Sequence, residues 1–356
     1  MRRYFKIDFL RLFALLLVIF LHYWSFQGLY QTKTVGIQPF LALMMRNFAM
    51  ICVPIFMVIT GFLNVNKSVS SGYILGLKKV YIIYLFCSFI IFIAEIIYHR
   101  GQLSLLNEII KILCFKGSNY AWYVEMYIGL YIIIPLLNAV WKSIDKKYIF
   151  LAIILLTVLP DSLNWFNFES GKLLFSDDYN KLFPEYWISV YPIFYYYIGC
   201  LFREKNECSG IKISICLIVF SDLAMSIVCY VAANGNDFVW GKWQAYSSIF
   251  VVVMTISFVN IITKINVKLE SSRLKKFIVL LSDSVYGAYL MSYLFDNVIY
   301  TYGIKVFGLS PQIAWSCLIY VPMIFLSSLA MSYLILRLYR LIFDKQGFRK
   351  LPVYFK

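Results

Sequence analysis

Two residues of the first apolar run, Arg11 and His22, could do chemistry together. They stand in RLFALLLVIFLH, as R-x10-H. Eleven helical steps of about 100° leave the two side chains about 20° apart around the axis and about 16 Å apart along it. One helix face therefore carries a permanent cation near one end and an imidazole more than halfway along. Neutral imidazole takes the proton of an attacking alcohol near pH 7, and burial disfavours imidazolium, which keeps the base free. Asp8, three residues before Arg11, is placed to pair with it. A lone membrane histidine also serves as a packing residue, and that reading stands beside the chemical one. Metal chemistry is not expected. His22 and His99 are the only histidines, and the eight cysteines, none in a CxxC pair, read as small buried residues.

The elements that must position these residues are membrane helices. The chain of 356 residues is 62% hydrophobic and 14% charged, with a mean hydropathy of +0.75. An aqueous core cannot absorb that much apolar surface, so the lipid bilayer is the solvent for most of the chain. Apolar runs long enough to span occur at 9–27, 45–64, 80–99, 120–140, 148–163, 187–202, 212–233, 244–262, 277–299 and 313–337. The predicted fold is therefore all-α, a single polytopic domain over 1–356 with about ten transmembrane helices. The run at 103–115 is too short to cross and reads as interfacial. The first run follows Arg2, Arg3 and Lys6, but no small-residue cleavage pattern follows it, so it reads as an uncleaved span.

Basic residues fix the expected orientation. They concentrate in alternate connections, from Arg2, Arg3 and Lys6 through Lys67, Lys78 and Lys79 to Arg337, Arg340, Lys345, Arg349 and Lys350. The other connections hold fewer, among them Lys33, Arg46, Lys116 and Lys242. The positive-inside rule then puts both termini in the cytoplasm and the 164–186 loop outside. The net charge of +15 is accounted for by orientation, and no nucleic-acid module is evident.

Other ionisable residues within the runs are few: Glu95, Glu125, Asp222, Asp283 and Asp296. Glu125 stands beside Trp122 and Tyr123. That cluster has the chemistry to grip a sugar by stacking and hydrogen bonding, and equally that of an interfacial anchor. Glu95 and His99 read as an interfacial i, i+4 pair. Asp222 and Asp283 are expected near cytoplasmic helix ends.

Several segments resemble the acyltransferase 3 family of membrane acyltransferases. R-x10-H in the first span is similar to that family's hallmark. VPIFMVITGFL (Val53 to Leu63), the basic pair before Val80-Tyr81, AWYVEMYIGLYIIIPLL (Ala121 to Leu137) and DSVYGAYLMSYLF (Asp283 to Phe295) resemble its further signatures, in order. Three departures are visible. Ser292 stands where a late histidine is common, Pro54 where some members carry Asp, and the basic pair is Lys rather than Arg.

The resemblance implies an O-acyltransferase of the bacterial plasma (inner) membrane, of the standalone type. It would move acetyl from acetyl-coenzyme A to a hydroxyl of a cell-envelope or exported saccharide or glycolipid. His22 would be catalytic and Arg11 its companion. Lys78 and Lys79, with Asp8 acting through Arg11, would serve the donor, although the lysines read equally well as ordinary positive-inside residues. A flippase or transporter, and a glycan polymerase, are the competing classes. Against the first stands the lack of inverted repeats or paired broken helices, and against the second the modest size of the 164–186 loop.

Overall fold

The computed structural model describes residues 4–98, 104–165, 180–205, 210–265, 272–307 and 314–343. His99, the stretch 166–179 of the external loop, Arg2 and Arg3, and the basic tail from Lys345 lie outside the described residues. Every regular element among the described residues is helical. The chain runs through α1 (Phe5–Gln27), α2 (Ile37–Ala49), α3 (Cys52–Asn64), α4 (Ser71–Tyr98), α5 (Leu105–Leu113), α6 (Trp122–Ser143), α7 (Lys146–Ile153) and α8 (Leu159–Leu163). It continues through α9 (Tyr191–Glu204), α10 (Ile211–Ala233), α11 (Ile249–Lys264), α12 (Ser272–Phe307) and α13 (Cys317–Phe343).

Seven helical runs among the described residues are long and apolar enough to cross a membrane. They coincide with seven of the ten predicted spans, and α2 with α3 forms one of them, Ile37–Asn64. The remaining three are helical too. The first is α1, 23 residues long. The 148–163 run is broken into α7, a π-helical turn at Ile154–Val158 and α8, with Pro160 at the start of the last. The 187–202 run is a 3-10 turn followed by the 14-residue α9. Local sequence explains the ends. No Gly or Pro interrupts α1, and Gly28 stops it by taking a left-handed conformation at φ 89°. Asp145 caps α7 by accepting from the Lys147 backbone N–H at 3.0 Å.

The contacts gather into two compact units, each discontinuous in sequence. The first comprises residues 1–19, 67–137 and 269–356. Its α12 and α13 pack closely, and the Ser332 hydroxyl donates to Ser284 O at 2.6 Å. The Tyr286 hydroxyl reaches Val80 O of α4 at 3.2 Å. The short α5 is tied to α4 by the Tyr84 hydroxyl on Ile112 O at 2.7 Å, and its Leu105, Leu106, Ile109 and Ile110 are exposed.

The second unit comprises residues 20–66 and 138–268. Its tightest pair is α3 with α9, where Gly61 and Gly199 meet backbone to backbone. A Cβ on Gly61 would collide with Tyr196 O, and one on Gly199 with Val58 O. Small residues allow this approach, and close packing is what holds apolar helices together in lipid. α10 joins α11 through Asn260 Nδ2 on Ser214 Oγ at 2.9 Å, and joins α2 through Asn47 Nδ2 on Ser226 Oγ at 3.0 Å.

Candidate functional site

α1 is unbroken across both halves of the R-x10-H pair, so Arg11 and His22 keep their helical spacing. Each is held by a different set of neighbours.

In the first unit, Asp8 and Arg11 are both buried, and Arg11 Nη1 lies 3.8 Å from Asp8 Oδ1. The Ser282 hydroxyl of α12 donates to the same Oδ1 at 2.7 Å. The i, i+3 spacing predicted the pair, and the tertiary fold adds the serine. Asp8 is acceptor-only when ionised, so it orients the guanidinium from inside the unit. Lys67, in the connection before α4, is partly buried in this unit. Burial, and then the charge of Arg11, push its amine down to about 8. Lys78 and Lys79 diverge, with Lys78 exposed on α4 and the Lys79 ammonium over the Tyr339 ring at 5.7 Å from its centroid.

The expected Trp122, Tyr123 and Glu125 cluster divides between two faces of α6. Trp122 and Glu125 are exposed, as the i, i+3 spacing dictates. Tyr123 is buried in the unit, 5.2 Å from the Tyr289 ring. Ser292, at the place of the family's late histidine, is buried and donates to Tyr289 O at 2.7 Å. Asp222 and Asp283 are not near helix ends. Asp222 lies mid-way along α10, and α12 begins at Ser272, which leaves Asp283 about three turns inside it.

In the second unit, Tyr23 and Trp24 are buried and edge-stacked at 5.3 Å, which fixes the rotation of this end of α1. That rotation turns His22 to line a cavity of about 380 Å³. Leu21 and Ser25 share the α1 wall, and Tyr30 follows it. Arg46 and Met50 come from α2, and Trp240, Gly241, Gln244, Ala245 and Tyr246 come from the connection between α10 and α11. That connection is well anchored. Tyr195 donates to Tyr246 O at 2.5 Å, Ser162 Oγ accepts the Ile249 N–H at 2.9 Å, and Asp161 accepts the Ser247 hydroxyl. The 28–36 connection is held to it by Thr34 N on Asn236 O at 2.9 Å.

The charge pattern of the sequence places Arg46 on the external side at the edge of a span. The helix instead begins at Ile37 and buries Arg46, which is 1% exposed. Its guanidinium carbon lies 4.7 Å from the Trp240 ring centroid, 5.3 Å from Phe238 and 5.9 Å from Tyr30. Nη1 donates to Asn47 Oδ1 at 3.1 Å and Nε to the Tyr30 hydroxyl at 3.4 Å. Aromatic faces and neutral acceptors thus offset the desolvation of this cation. The sequence pattern alone does not mark Arg46, Tyr30, Trp240 or Gln244 as site residues. A charge next to an apolar run was the available signal, and the aromatic residues around it are far away in sequence.

An imidazole lining a walled cavity, with a cation and the hydroxyl-bearing side chains of Ser25, Tyr30 and Tyr246 on the same walls, can abstract a proton and stabilise negative charge. A family model described as an acyltransferase domain matches residues 4–337. The chain belongs to the acyltransferase 3 family. No curated protein and no solved structure matches it. The matched stretch of this membrane acyltransferase begins before Asp8 and ends within α13, so it includes the Asp8–Arg11 pair and every residue lining the His22 cavity. Two family-like segments prove to be packing elements. VPIFMVITGFL builds α3, whose Gly61 admits α9, and DSVYGAYLMSYLF lies in α12, whose Gly287 faces Ser332 of α13.

Proposed function

We propose that the acyltransferase moves an acetyl group from acetyl-coenzyme A to a hydroxyl of a cell-envelope or exported saccharide, with His22 as general base. The observation that carries this reading is the placement of His22 on a cavity of about 380 Å³ walled by Tyr30, Trp240 and Tyr246. Cavities of this order hold small organic ligands, and aromatic walls suit the apolar faces of a sugar ring.

In this reading His22 takes the acceptor hydroxyl proton as the oxygen attacks the thioester carbonyl. The tetrahedral intermediate then collapses, the C–S bond breaks, and the imidazolium returns the proton to the coenzyme A thiolate. Arg11, oriented by Asp8, together with Lys78 and Lys79, serves the anionic donor. Of the α6 cluster, the exposed Trp122 and Glu125 contact the acceptor, and the buried Tyr123 supports their helix from inside its unit. The chain crosses a bacterial inner membrane ten times with both termini in the cytoplasm, α1, the α7–α8 run and α9 adding to the other seven runs.

The test is acylation of envelope glycans by His22→Ala at wild-type protein levels, read by mass spectrometry. Loss of a general base lowers the rate by about 10²–10⁴-fold. Near-normal acylation would overturn the reading and leave His22 a packing residue.

A further inference from the structure

We infer that the cavity beside His22 takes a saccharide bearing an anionic group, a carboxylate or a phosphate, and that the guanidinium edge of Arg46 binds that group. The inference deepens the proposed function and rests on it for treating this saccharide as the acyl acceptor.

Arg46 is buried and lines the cavity. All of its partners among the described residues are neutral: Asn47, the Tyr30 hydroxyl and the rings of Trp240, Phe238 and Tyr30. No carboxylate among the described residues lies within ion-pair distance of it. Arg11, by contrast, is paired with Asp8. A buried cation attracts an anion strongly when no protein carboxylate neutralises it, because water no longer screens the charge.

The geometry also leaves the right atoms available. A guanidinium has five N–H donors. Nε and Nη1 each spend one, and Nη2 has no acceptor among the described residues. The aromatic rings hold the cation without consuming N–H groups. The remaining edge is the planar fork that matches carboxylate or phosphate oxygens in pairs. Trp240 is 61% exposed even while it contacts Arg46, so part of its ring stays available to a sugar. Stacking and charge recognition therefore meet on one wall of the cavity that His22 lines.

A transient oxyanion on the thioester would also be stabilised by Arg46, but it would give no preference for an anionic ligand in the ground state. Isothermal titration calorimetry of the purified full chain separates the two roles. The probes are methyl glucuronide, glucose 1-phosphate and the neutral methyl glucoside. Wild type should bind at least one anionic sugar about tenfold or more tightly than the neutral one. The two anionic arms distinguish a carboxylate from a phosphate. Arg46→Gln should erase the preference, and Arg46→Lys should keep a weakened one.

Equal affinity of wild type for neutral and anionic sugars would overturn the assignment, as would a preference that survives Arg46→Gln. Should Arg46→Gln fail to fold, the wild-type preference and its weakening in Arg46→Lys decide the matter. The His22→Ala acylation assay reads the proposed function separately. Normal acylation there overturns that function, whereas an equal-affinity result in calorimetry removes the role of Arg46 alone.

Discussion

The guanidinium of Arg46 lies 4.7 Å from the centre of the Trp240 ring, although 194 positions separate the two residues in the chain. A cation–π contact of this kind contributes about 0.5–2 kcal/mol, or about twofold to thirtyfold in an equilibrium or rate. Trp240→Leu should therefore lower kcat/KM for glycan acylation within that range while the protein still inserts and purifies. Trp240→Phe should lie between the two. A Trp240→Leu enzyme indistinguishable from wild type would show that the ring does not hold Arg46 in place for the reaction.

The buried Asp8–Arg11 pair makes a prediction about stability. Removing one member of a buried ion pair strands the other charge and costs about 3–5 kcal/mol. Asp8→Asn should therefore lower the melting temperature of the purified protein clearly. Asp145→Ala, which removes a helix cap on an exposed residue, should cost only about 0.5–2 kcal/mol. Equal melting temperatures for Asp8→Asn and wild type would mean that water or lipid headgroups replace the pair.

Lys67 should titrate unlike an ordinary lysine. Burial and the Arg11 charge bring its amine down to about 8, against an ordinary value of about 10.4. Its pH-dependent acetylation by an amine reagent, followed by peptide mass spectrometry, should therefore show a midpoint near the lower value. Arg11→Gln should move that midpoint upward. The sign for stability follows from linkage. The folded amine releases its proton before the unfolded one does, so this residue's contribution grows more favourable as pH rises from about 8 towards about 10.4. Lys67→Met should abolish that part of the pH dependence. A labelling midpoint near 10 would refute the expectation.

Helix packing supplies a fourth test. Gly61→Ala and Gly199→Ala each drive a methyl group into the backbone of the opposite helix, so each should prevent normal accumulation of folded protein. Gly129→Ala meets nothing within 4 Å in the interior of α6. It should be tolerated, and helix propensity predicts a gain of up to about 1 kcal/mol. Detergent-extracted yield and elution profile report all three variants, and normal yield of Gly61→Ala would mean that α3 and α9 can separate without loss.

The sequence by itself determined that this is a helical membrane protein. Hydropathy and helical periodicity are properties of contiguous segments, and seven of the predicted spans reappear as long helices for that reason. The R-x10-H face and the Asp8–Arg11 pair were equally legible, because both lie within one helix. So was the family, whose signatures are linear segments and whose model matches residues 4–337. Tertiary structure decided what no single segment records. The start of α2 at Ile37, twelve residues before the helix ends at Ala49, turned an apparent edge cation into a buried one. The Asn47–Ser226 contact between α2 and α10 is part of the packing that carries Trp240 to Arg46. Tyr123 parted from Glu125 because neighbouring helix positions face different directions once one face of α6 is buried. Local sequence specifies each helix and the stripe it can bury, but only the other helices decide which side chains meet in the cavity around His22.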